Sequence, residues 1–138
     1  MRSFIDSNVV VYAEASDEPR KQHVALRLLR ELKLSGEGVV STQVLQEYCN
    51  VGLRKLNLEP SHLRLQLASL SRFDVVRPCV ETIRAALDLQ QTRSLSFYGA
   101  LIVAAAQQAG CAILYSEDMH AGENFDGVKI VDPFAAES

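Results

Sequence analysis

Short apolar runs of strand length alternate with longer segments of helical periodicity along this 138-residue chain. The predicted strands are 3–5, 38–41, 74–76, 112–115 and 129–131. The predicted helices are 8–15, 19–33, 43–56, 61–70, 80–92 and 97–108. Strands separated by helices predict an α/β fold, with a mostly parallel central sheet flanked by helices on both faces. Because no repeat or linker-like stretch divides the chain, we expect residues 1–138 to form one domain.

Two acidic residues follow predicted strands. Asp6 comes directly after the apolar run 3–5, and Asp118 closes the segment Ser116-Glu117-Asp118 that follows 112–115. In open parallel sheets the functional site forms outside the carboxyl ends of the strands, so we expect both carboxylates at one edge. The alternative for Asp6 is a helix N-cap, because Asp, Ser and Asn are all good caps. Taken alone, the two acids at 117 and 118 are equally compatible with an ordinary loop.

A third acid lies on an apolar helix face. Glu47 shares that face with Val44, Tyr48 and Val51, at the spacing typical of one side of a helix. A buried carboxylate needs a cation, a hydrogen-bond network or water. Glu47 therefore either points into a cleft or pairs with an Arg or Lys elsewhere in the fold.

Together the three acids predict a divalent metal site. Crowded carboxylates raise one another's pKa and destabilise the fold unless a cation neutralises them. Oxygen ligands without neighbouring His or Cys suit Mg²⁺ or Mn²⁺ better than Zn²⁺. His23, His62 and His120 are scattered singly along the chain and form no ligand pair. A metal held in this way would polarise a phosphodiester, activate water and stabilise the leaving oxygen.

Composition argues against several other classes of protein. No apolar run approaches the ~20 residues of a membrane-spanning helix, and Asp6 interrupts the only candidate signal-peptide stretch. Cys49, Cys79 and Cys111 are odd in number and widely spaced, so we expect buried thiols in a reducing cytoplasm. The net charge of −3 provides no broad cationic surface for long-range attraction of nucleic acid. Glycine-rich nucleotide-binding motifs, the GxSxG elbow and the HExxH zinc motif are absent.

Four segments, taken in order and with their separations, resemble the PIN-domain ribonucleases, specifically the VapC-type toxins of bacterial type II toxin–antitoxin pairs. They are FIDSNVVVYA at 4–13, STQVLQE at 41–47, SFYGALIVAAA at 96–106 and LYSEDM at 114–119. The resemblance covers nearly the whole chain. It implies a PIN fold, Mg²⁺- or Mn²⁺-dependent cleavage of RNA, a homodimer and inhibition by a small cognate antitoxin, often one that binds DNA.

By this resemblance Asp6, Glu47 and Asp118 correspond to three members of the catalytic acidic quartet, with Asp6 and Asp118 as metal ligands. Asn8 and Glu117 would be auxiliary residues of the same site. The fourth acid, commonly a direct metal ligand, falls on Gly99. This departure implies that activity is weakened or lost in this chain.

Gly99 is also unusual on local grounds. If Ser96 is the N-cap, Gly99 is the third helical position, where an acid suits the helix dipole. Glycine at a helical position costs about 0.5–1 kcal/mol relative to alanine. Three interpretations remain open: a glycine that permits close packing, a naturally weakened nuclease, and an inactivating substitution selected because the gene is toxic.

The leading hypothesis is therefore a metal-dependent endoribonuclease toxin that is weakened at Gly99. The alternative is a catalytically silent PIN domain that binds an antitoxin or RNA without cutting. A structure-specific DNA nuclease of related fold is disfavoured, because the short chain lacks room for additional DNA-clamping elements. Divalent-metal binding by this chain distinguishes the first two hypotheses.

Overall fold

Six strands and six helices form in residues 1–135, the part of the chain that the computed structural model describes. The strands are β1 Ser3–Ile5, β2 Gly38–Ser41, β3 Asp74–Val76, β4 Ile113–Tyr115, β5 Asn124–Phe125 and β6 Val128–Val131. The helices are α1 Ser7–Tyr12, α2 Pro19–Ser35, α3 Thr42–Arg54, α4 Pro60–Leu70, α5 Val80–Thr92 and α6 Phe97–Gln108. Residues 136–138 of the predicted domain lie outside the described residues.

The strands form one sheet in the order β3-β2-β1-β4-β6-β5, and only the pair of β5 and β6 is antiparallel. All residues of β1 and β2 are buried. Because successive side chains of a strand point to opposite faces, both faces of the sheet must be covered there. The predicted α/β fold with a mostly parallel sheet is confirmed, and the ends of the predicted elements differ from the observed ones by at most three residues.

The strand β5 was not predicted from the sequence. It pairs with β6 across a two-residue turn, in which Asp126 has φ 50° and Gly127 has φ 100°. Tight hairpins of this kind need positive φ at both central residues, which is why Asp-Gly is a frequent choice. The dipeptide at 126–127 was therefore the signal that could have revealed the hairpin.

Local sequence explains where the helices begin and end. Pro19 and Pro60 occupy the first turns of α2 and α4, where a missing N–H has no cost. Gly36 ends α2 in the left-handed conformation, with φ 73°. Ser41 is the last residue of β2 and also the N-cap of α3, so the chain passes directly from sheet to helix. This direct passage holds the first two turns of α3 at the edge of the sheet.

Helix α6 is the most deeply buried helix, with every residue from 100 to 106 buried. Four of these seven residues are alanines, whose small side chains allow neighbouring elements to approach closely. The first turn of α6, by contrast, is only partly covered and reaches the surface at Tyr98. The burial of its middle fixes the position of its N-terminus.

The prediction of three buried thiols is wrong for one cysteine. Cys111 is buried and Cys49 is half-buried, but Cys79 is exposed, and all three are free. Cys79 is the N-cap of α5, and a residue that begins a surface helix has little chance of burial. Within residues 1–135, no helix is long and apolar enough to cross a membrane.

Candidate active site

The order of the strands brings three chain segments to one edge of the sheet. The first strand, β1, lies between β2 and β4 and is parallel to both. The chain therefore moves to one side of β1 and later returns to its other side, which makes β1 the switch point of the sheet. Ligand sites of open α/β sheets form at such points, outside the carboxyl ends of the strands.

A cleft of about 470 Å³ opens at this edge. It is lined by all four positions that the resemblance assigns to the acidic quartet, which are Asp6, Glu47, Gly99 and Asp118. Glu123 adds a fourth carboxylate, and hydroxyl, aromatic and apolar side chains complete the lining, which includes no Lys or Arg. The structure thus brings together residues that are separated by as much as 112 positions in the chain.

Asp6 is both a helix cap and a cleft residue, so the two interpretations of it are compatible. Its Oδ1 accepts a hydrogen bond from the backbone N–H of Ser7 at 2.7 Å, which caps α1. Its side chain is buried, and burial raises its pKa to about 6. Hydrogen bonds from Ser116 and Ser7 oppose this shift, whereas the charges of Glu47 and Asp118 add to it. Asp6 therefore carries a negative charge that nothing nearby fully compensates.

Ser116 and Asn8 hold the Asp6 carboxylate in place. The Ser116 hydroxyl is fully buried and donates to Asp6 Oδ2 at 2.8 Å. The Asn8 amide Nδ2 lies 3.3 Å from Asp6 Oδ2 and 3.2 Å from Asp118 Oδ2, so one amide group links the two acids. Ser116 was not singled out from the sequence, although a serine between a buried strand and two acids was a usable signal.

Glu47 lies partly buried on α3 and lines the cleft, while its neighbours Val44 and Tyr48 belong to the core. The alternative for this residue was a structural pairing with an Arg or Lys. No such ion pair is formed by Glu47 within residues 1–135. Its carboxylate therefore contributes negative charge to the cleft.

Asp118 is the most exposed of the three acids. Its backbone N–H donates to the Ser116 hydroxyl at 3.2 Å, which ties the loop after β4 to the Asp6 side of the cleft. The three acids nevertheless do not form a ready ligand set, since no group of three His, Cys, Asp or Glu residues in the described chain is arranged to hold a metal ion. The Asn8 amide stands between two of the acids, and Gly99 adds no carboxylate.

Gly99 occupies the third helical position of α6, as the local sequence predicts. Ser96 is the N-cap, and its hydroxyl accepts the backbone N–H of Gly99 at 3.0 Å. A Cβ placed on Gly99 would lie 3.0 Å from Ser96 Oγ and 3.6 Å from Met119 Cε. Both contacts are with side-chain atoms that can move, so the backbone leaves room for a side chain that points toward the cleft.

The Glu117 carboxylate is held by partners outside the cleft. The Tyr12 hydroxyl donates to Glu117 Oε1 at 2.7 Å, and Lys21 forms an ion pair with Oε2. Partial burial raises the pKa of Glu117, but the hydrogen bonds from Lys21 and Tyr12 outweigh it and lower the pKa overall. Its backbone N–H donates to Asn8 Oδ1 at 3.1 Å. Glu117 thus anchors the loop that carries Asp118, and its side chain is not part of the cleft lining.

Tyr12→Phe is expected to lower the free energy of unfolding by about 1 kcal/mol, the typical value of one hydrogen bond. The substitution removes the donor to Glu117 but keeps the ring, which packs edge to face on Phe134 with centroids 4.8 Å apart. Urea unfolding measures the change. Tyr98→Phe serves as the control, because the Tyr98 hydroxyl forms no hydrogen bond within residues 1–135 and that residue is exposed. An equal stability for Tyr12→Phe and the unmodified chain would contradict the anchoring role.

The donors of the cleft fit a hard divalent cation in part. Asp6, Glu47 and Asp118 offer carboxylate oxygens as ligands. The pKa of Asp6 is raised mainly by burial and to a smaller extent by the charges of Glu47 and Asp118, so a cation would favour its charged form. His120 lines the same cleft but is exposed and single. The set therefore suits Mg²⁺ or Mn²⁺ in donor type and is incomplete in number.

Comparison with solved structures finds the same fold in bacterial toxins. A toxin–antitoxin complex from Klebsiella pneumoniae matches with a TM-score of 0.72 at 19% identity, over 95% of this chain and 97% of that chain. The Mycobacterium tuberculosis toxin VapC20, which cleaves the sarcin–ricin loop, matches with a TM-score of 0.62 at 18% identity, over 84% and 89% of the two chains. A search of curated proteins gives no significant match.

Comparison with protein families agrees with the fold. The family model of the PIN domain matches residues 3–123, which include all four quartet positions. The match covers far more than half of the chain. The chain therefore belongs to the PIN-domain family.

Proposed function

We propose that this chain is the toxin of a toxin–antitoxin pair, an endoribonuclease that depends on Mg²⁺ or Mn²⁺ and is weakened at Gly99. The observation that carries the proposal is the buried Asp6 carboxylate, which shares one cleft with Glu47 and Asp118. Burying an acid among other acids destabilises a fold unless a cation neutralises the charge, and such groups in a cleft are typical of functional sites. Membership of the PIN-domain family supports nuclease activity as the function of this site.

Three acids of the cleft and two residues that contact them have roles in this proposal. Asp6 and Asp118 would hold the cation, and Glu47 would be the third catalytic acid. A divalent cation supplies the polarisation of a phosphodiester and an activated water. Ser116 and Asn8 orient the Asp6 carboxylate through hydrogen bonds at 2.8 Å and 3.3 Å. Asn8 therefore acts as an auxiliary residue by fixing the separation of two acids.

Gly99 is proposed to be the vacant fourth acidic position. A glycine required for close packing would have backbone or rigid core atoms against its missing Cβ. Gly99 instead faces Ser96 Oγ, the mobile end of Met119 and, at 4.0 Å, Leu95 Cδ2. These neighbours favour the loss of a ligand over a packing requirement.

The alternative is a catalytically silent PIN domain that only binds a partner, and the absence of a three-ligand group in the described residues favours it. Two measurements on the unmodified chain distinguish the hypotheses: Mn²⁺ titration by calorimetry, and incubation with RNA in Mn²⁺ with and without EDTA. Weak Mn²⁺ binding with slow, EDTA-sensitive cleavage supports the weakened nuclease. Undetectable Mn²⁺ binding together with undetectable cleavage supports the silent binding module.

An antitoxin is the proposed protein partner, in keeping with the Klebsiella pneumoniae complex of the same fold. A groove of about 580 Å³ beside α2 offers a place for it. Its edge includes Leu26 and Leu34, which are 52% and 79% exposed, and the basic residues Arg30, Lys33 and Arg72. An apolar groove with a basic rim suits an amphipathic, acidic segment. Both partners would meet in the cytoplasm.

The groove is tested by co-expression with a candidate antitoxin. Leu26→Glu should reduce recovery of the complex, because the substitution places a charge in the groove. Leu65→Glu is the matched control, since Leu65 is 71% exposed on α4 and does not line the groove. Equal recovery with both variants would place the antitoxin elsewhere.

A homodimer is the proposed assembly, and light scattering at micromolar concentration is expected to give about twice the 15.2 kDa of one chain. Helix α2 is rich in leucine, but Leu29 and Leu32 are in the core and Leu26 is exposed, so this helix offers little apolar surface for a dimer contact. A better candidate surface is α5, where Val80, Ile83 and Leu87 are exposed at helical spacing. Ile83→Glu should give the monomer mass if α5 forms the contact. A monomer mass for the unmodified chain would contradict the dimer.

A further inference from the structure

An exposed aromatic ring borders the cleft that holds the acids. Tyr98 lies in the first turn of α6, is 64% exposed, and lines the cleft together with Asp6, Glu47 and Asp118. Its ring lies edge to face against Phe97, with centroids 5.5 Å apart and planes at 67°. The ring is therefore held from one side, and most of its surface is available to a ligand.

The charge of the cleft raises the question of how RNA would be held there. The lining includes four acidic residues and no Lys or Arg, and the whole chain has a net charge of −3. Protein affinity for nucleic acid ordinarily comes in large part from cationic side chains on phosphates. That contribution is missing from the lining. Apart from a bound cation, contacts to the uncharged parts of RNA are therefore the contacts that the lining offers.

We propose that Tyr98 is a stacking platform for an unpaired RNA base next to the phosphodiester that the acids would cleave. This inference rests on the proposed function, because it takes RNA as the substrate. Stacking on an aromatic side chain requires a base whose face is free, which single-stranded loops offer and continuous duplexes do not. Stacking is also tolerant of sequence, since every base has a π-face. Tyr98 would therefore select single-stranded RNA.

The chain contains no tryptophan, which permits a direct test. Tyr98→Trp places a single tryptophan at the proposed platform, and Leu65→Trp places a single tryptophan at an exposed position outside the cleft. Each variant is titrated with a short single-stranded RNA in Ca²⁺, which replaces Mg²⁺ so that the RNA is bound without being cleaved, and a gel checks that the RNA stays intact. The fluorescence of the tryptophan introduced at position 98 should be quenched on binding, and that of the tryptophan at position 65 should not change. A duplex of the same sequence should leave both signals unchanged.

A second arm measures the effect of the ring on affinity, using the fluorescence anisotropy of a labelled RNA of the same design. Tyr98→Ala should weaken binding by roughly 5- to 100-fold, from the roughly 1–3 kcal/mol that stacking on one aromatic residue contributes and about 1.4 kcal/mol per tenfold. Tyr98→Phe should bind as the unmodified chain does, because the phenol hydroxyl is not needed for stacking. Mn²⁺ affinity should be the same in all three proteins.

The outcomes separate this inference from the proposed function. Suppose that anisotropy shows RNA binding but the tryptophan at position 98 is not quenched, or that Tyr98→Ala binds RNA as tightly as the unmodified chain. In either case the proposal of stacking at Tyr98 is wrong, whereas the proposal of an RNA substrate stands. Equal quenching by duplex and single strand would also overturn the inference. If no variant binds RNA at all, both the inference and the RNA substrate fail.

Discussion

Gly99→Asp is expected to strengthen Mn²⁺ binding by roughly one to two orders of magnitude and to restore cleavage of RNA. Two opposite unit charges ~4 Å apart interact by about 4 kcal/mol at an effective dielectric constant of 20. Desolvation and the displacement of water offset much of this, which leaves a net gain of roughly 1–3 kcal/mol. Since about 1.4 kcal/mol corresponds to a tenfold change, the gain in affinity follows. The gain in cleavage is larger if the fourth acid also positions the metal and water.

The structure provides the room for this substitution. The new Cβ would lie 3.6 Å from Met119 Cε, an ordinary contact, and 3.0 Å from Ser96 Oγ. A shift of Ser96 Oγ by a few tenths of an ångström relieves this closer contact and is small enough to keep its hydrogen bond to the Gly99 N–H. An acid at the third helical position also interacts favourably with the N-terminus of α6. Nothing in the local geometry therefore opposes the aspartate.

Two further substitutions serve as controls. Gly99→Asn adds a side chain of nearly the same shape without the charge, and Gly99→Ala changes only the helix propensity, by about 0.5–1 kcal/mol. Calorimetry with Mn²⁺ and a cleavage assay compare the three variants with the unmodified chain. An aspartate that gains neither Mn²⁺ affinity nor activity would falsify the vacant-ligand interpretation and leave Gly99 as a packing residue.

Asp6→Asn is expected to weaken Mn²⁺ binding strongly and to remove a pH dependence from the stability of the metal-free protein. The pKa of Asp6 is raised in the fold from its ordinary value of 3.8 to about 6, mainly by burial. The folded chain therefore binds a proton at this site more tightly than the unfolded chain. Between pH 3.8 and about 6, the free energy of unfolding falls as pH rises, because the fold must accept the buried charge.

The size of this effect follows from the shift in pKa. A difference of about two pH units at 1.36 kcal/mol per unit is about 3 kcal/mol lost between pH 4 and pH 7. The asparagine variant lacks this loss, so it should be more stable than the unmodified chain at neutral pH and show a flatter dependence on pH. Added Mn²⁺ should stabilise the unmodified chain at neutral pH, because a ligand that binds only the folded state favours it.

Urea unfolding at a series of pH values, with and without Mn²⁺, measures both effects. Asp17→Asn is the matched control, since Asp17 is exposed and lies outside the cleft. If the free energy of unfolding has the same pH dependence in Asp6→Asn and Asp17→Asn, the charge of Asp6 does not destabilise the fold. Unchanged Mn²⁺ affinity in Asp6→Asn would remove Asp6 from the proposed ligands.

The positions of the helices, of every strand except β5, and of Asp6 and Asp118 after their strands followed from the sequence for local reasons. Hydrophobic periodicity and helix caps act over a few residues, so the residues that begin α2 and α6, Pro19 and Ser96, could be recognised directly. Asp6 and Asp118 follow strands, and parallel strands bring their carboxyl ends to one edge. Because Ser96 could be recognised as the N-cap of α6, the place of Gly99 at the third helical position could also be predicted.

Only the tertiary structure decided which side chains meet. The hydrogen bond from Ser116 to Asp6 joins residues 110 positions apart, and Asn8 links Asp6 to Asp118 only because β1 and β4 are adjacent. The same adjacency places Glu117 within reach of Tyr12, so the Glu117 carboxylate accepts a hydrogen bond from the Tyr12 hydroxyl and does not line the cleft. The order of the strands in the sheet sets these distances, and the residue pattern of a single strand or helix does not reveal that order. For this reason the sequence identified the acidic residues that were candidates for a site, whereas the fold determined which of their carboxylates lie in the same cleft.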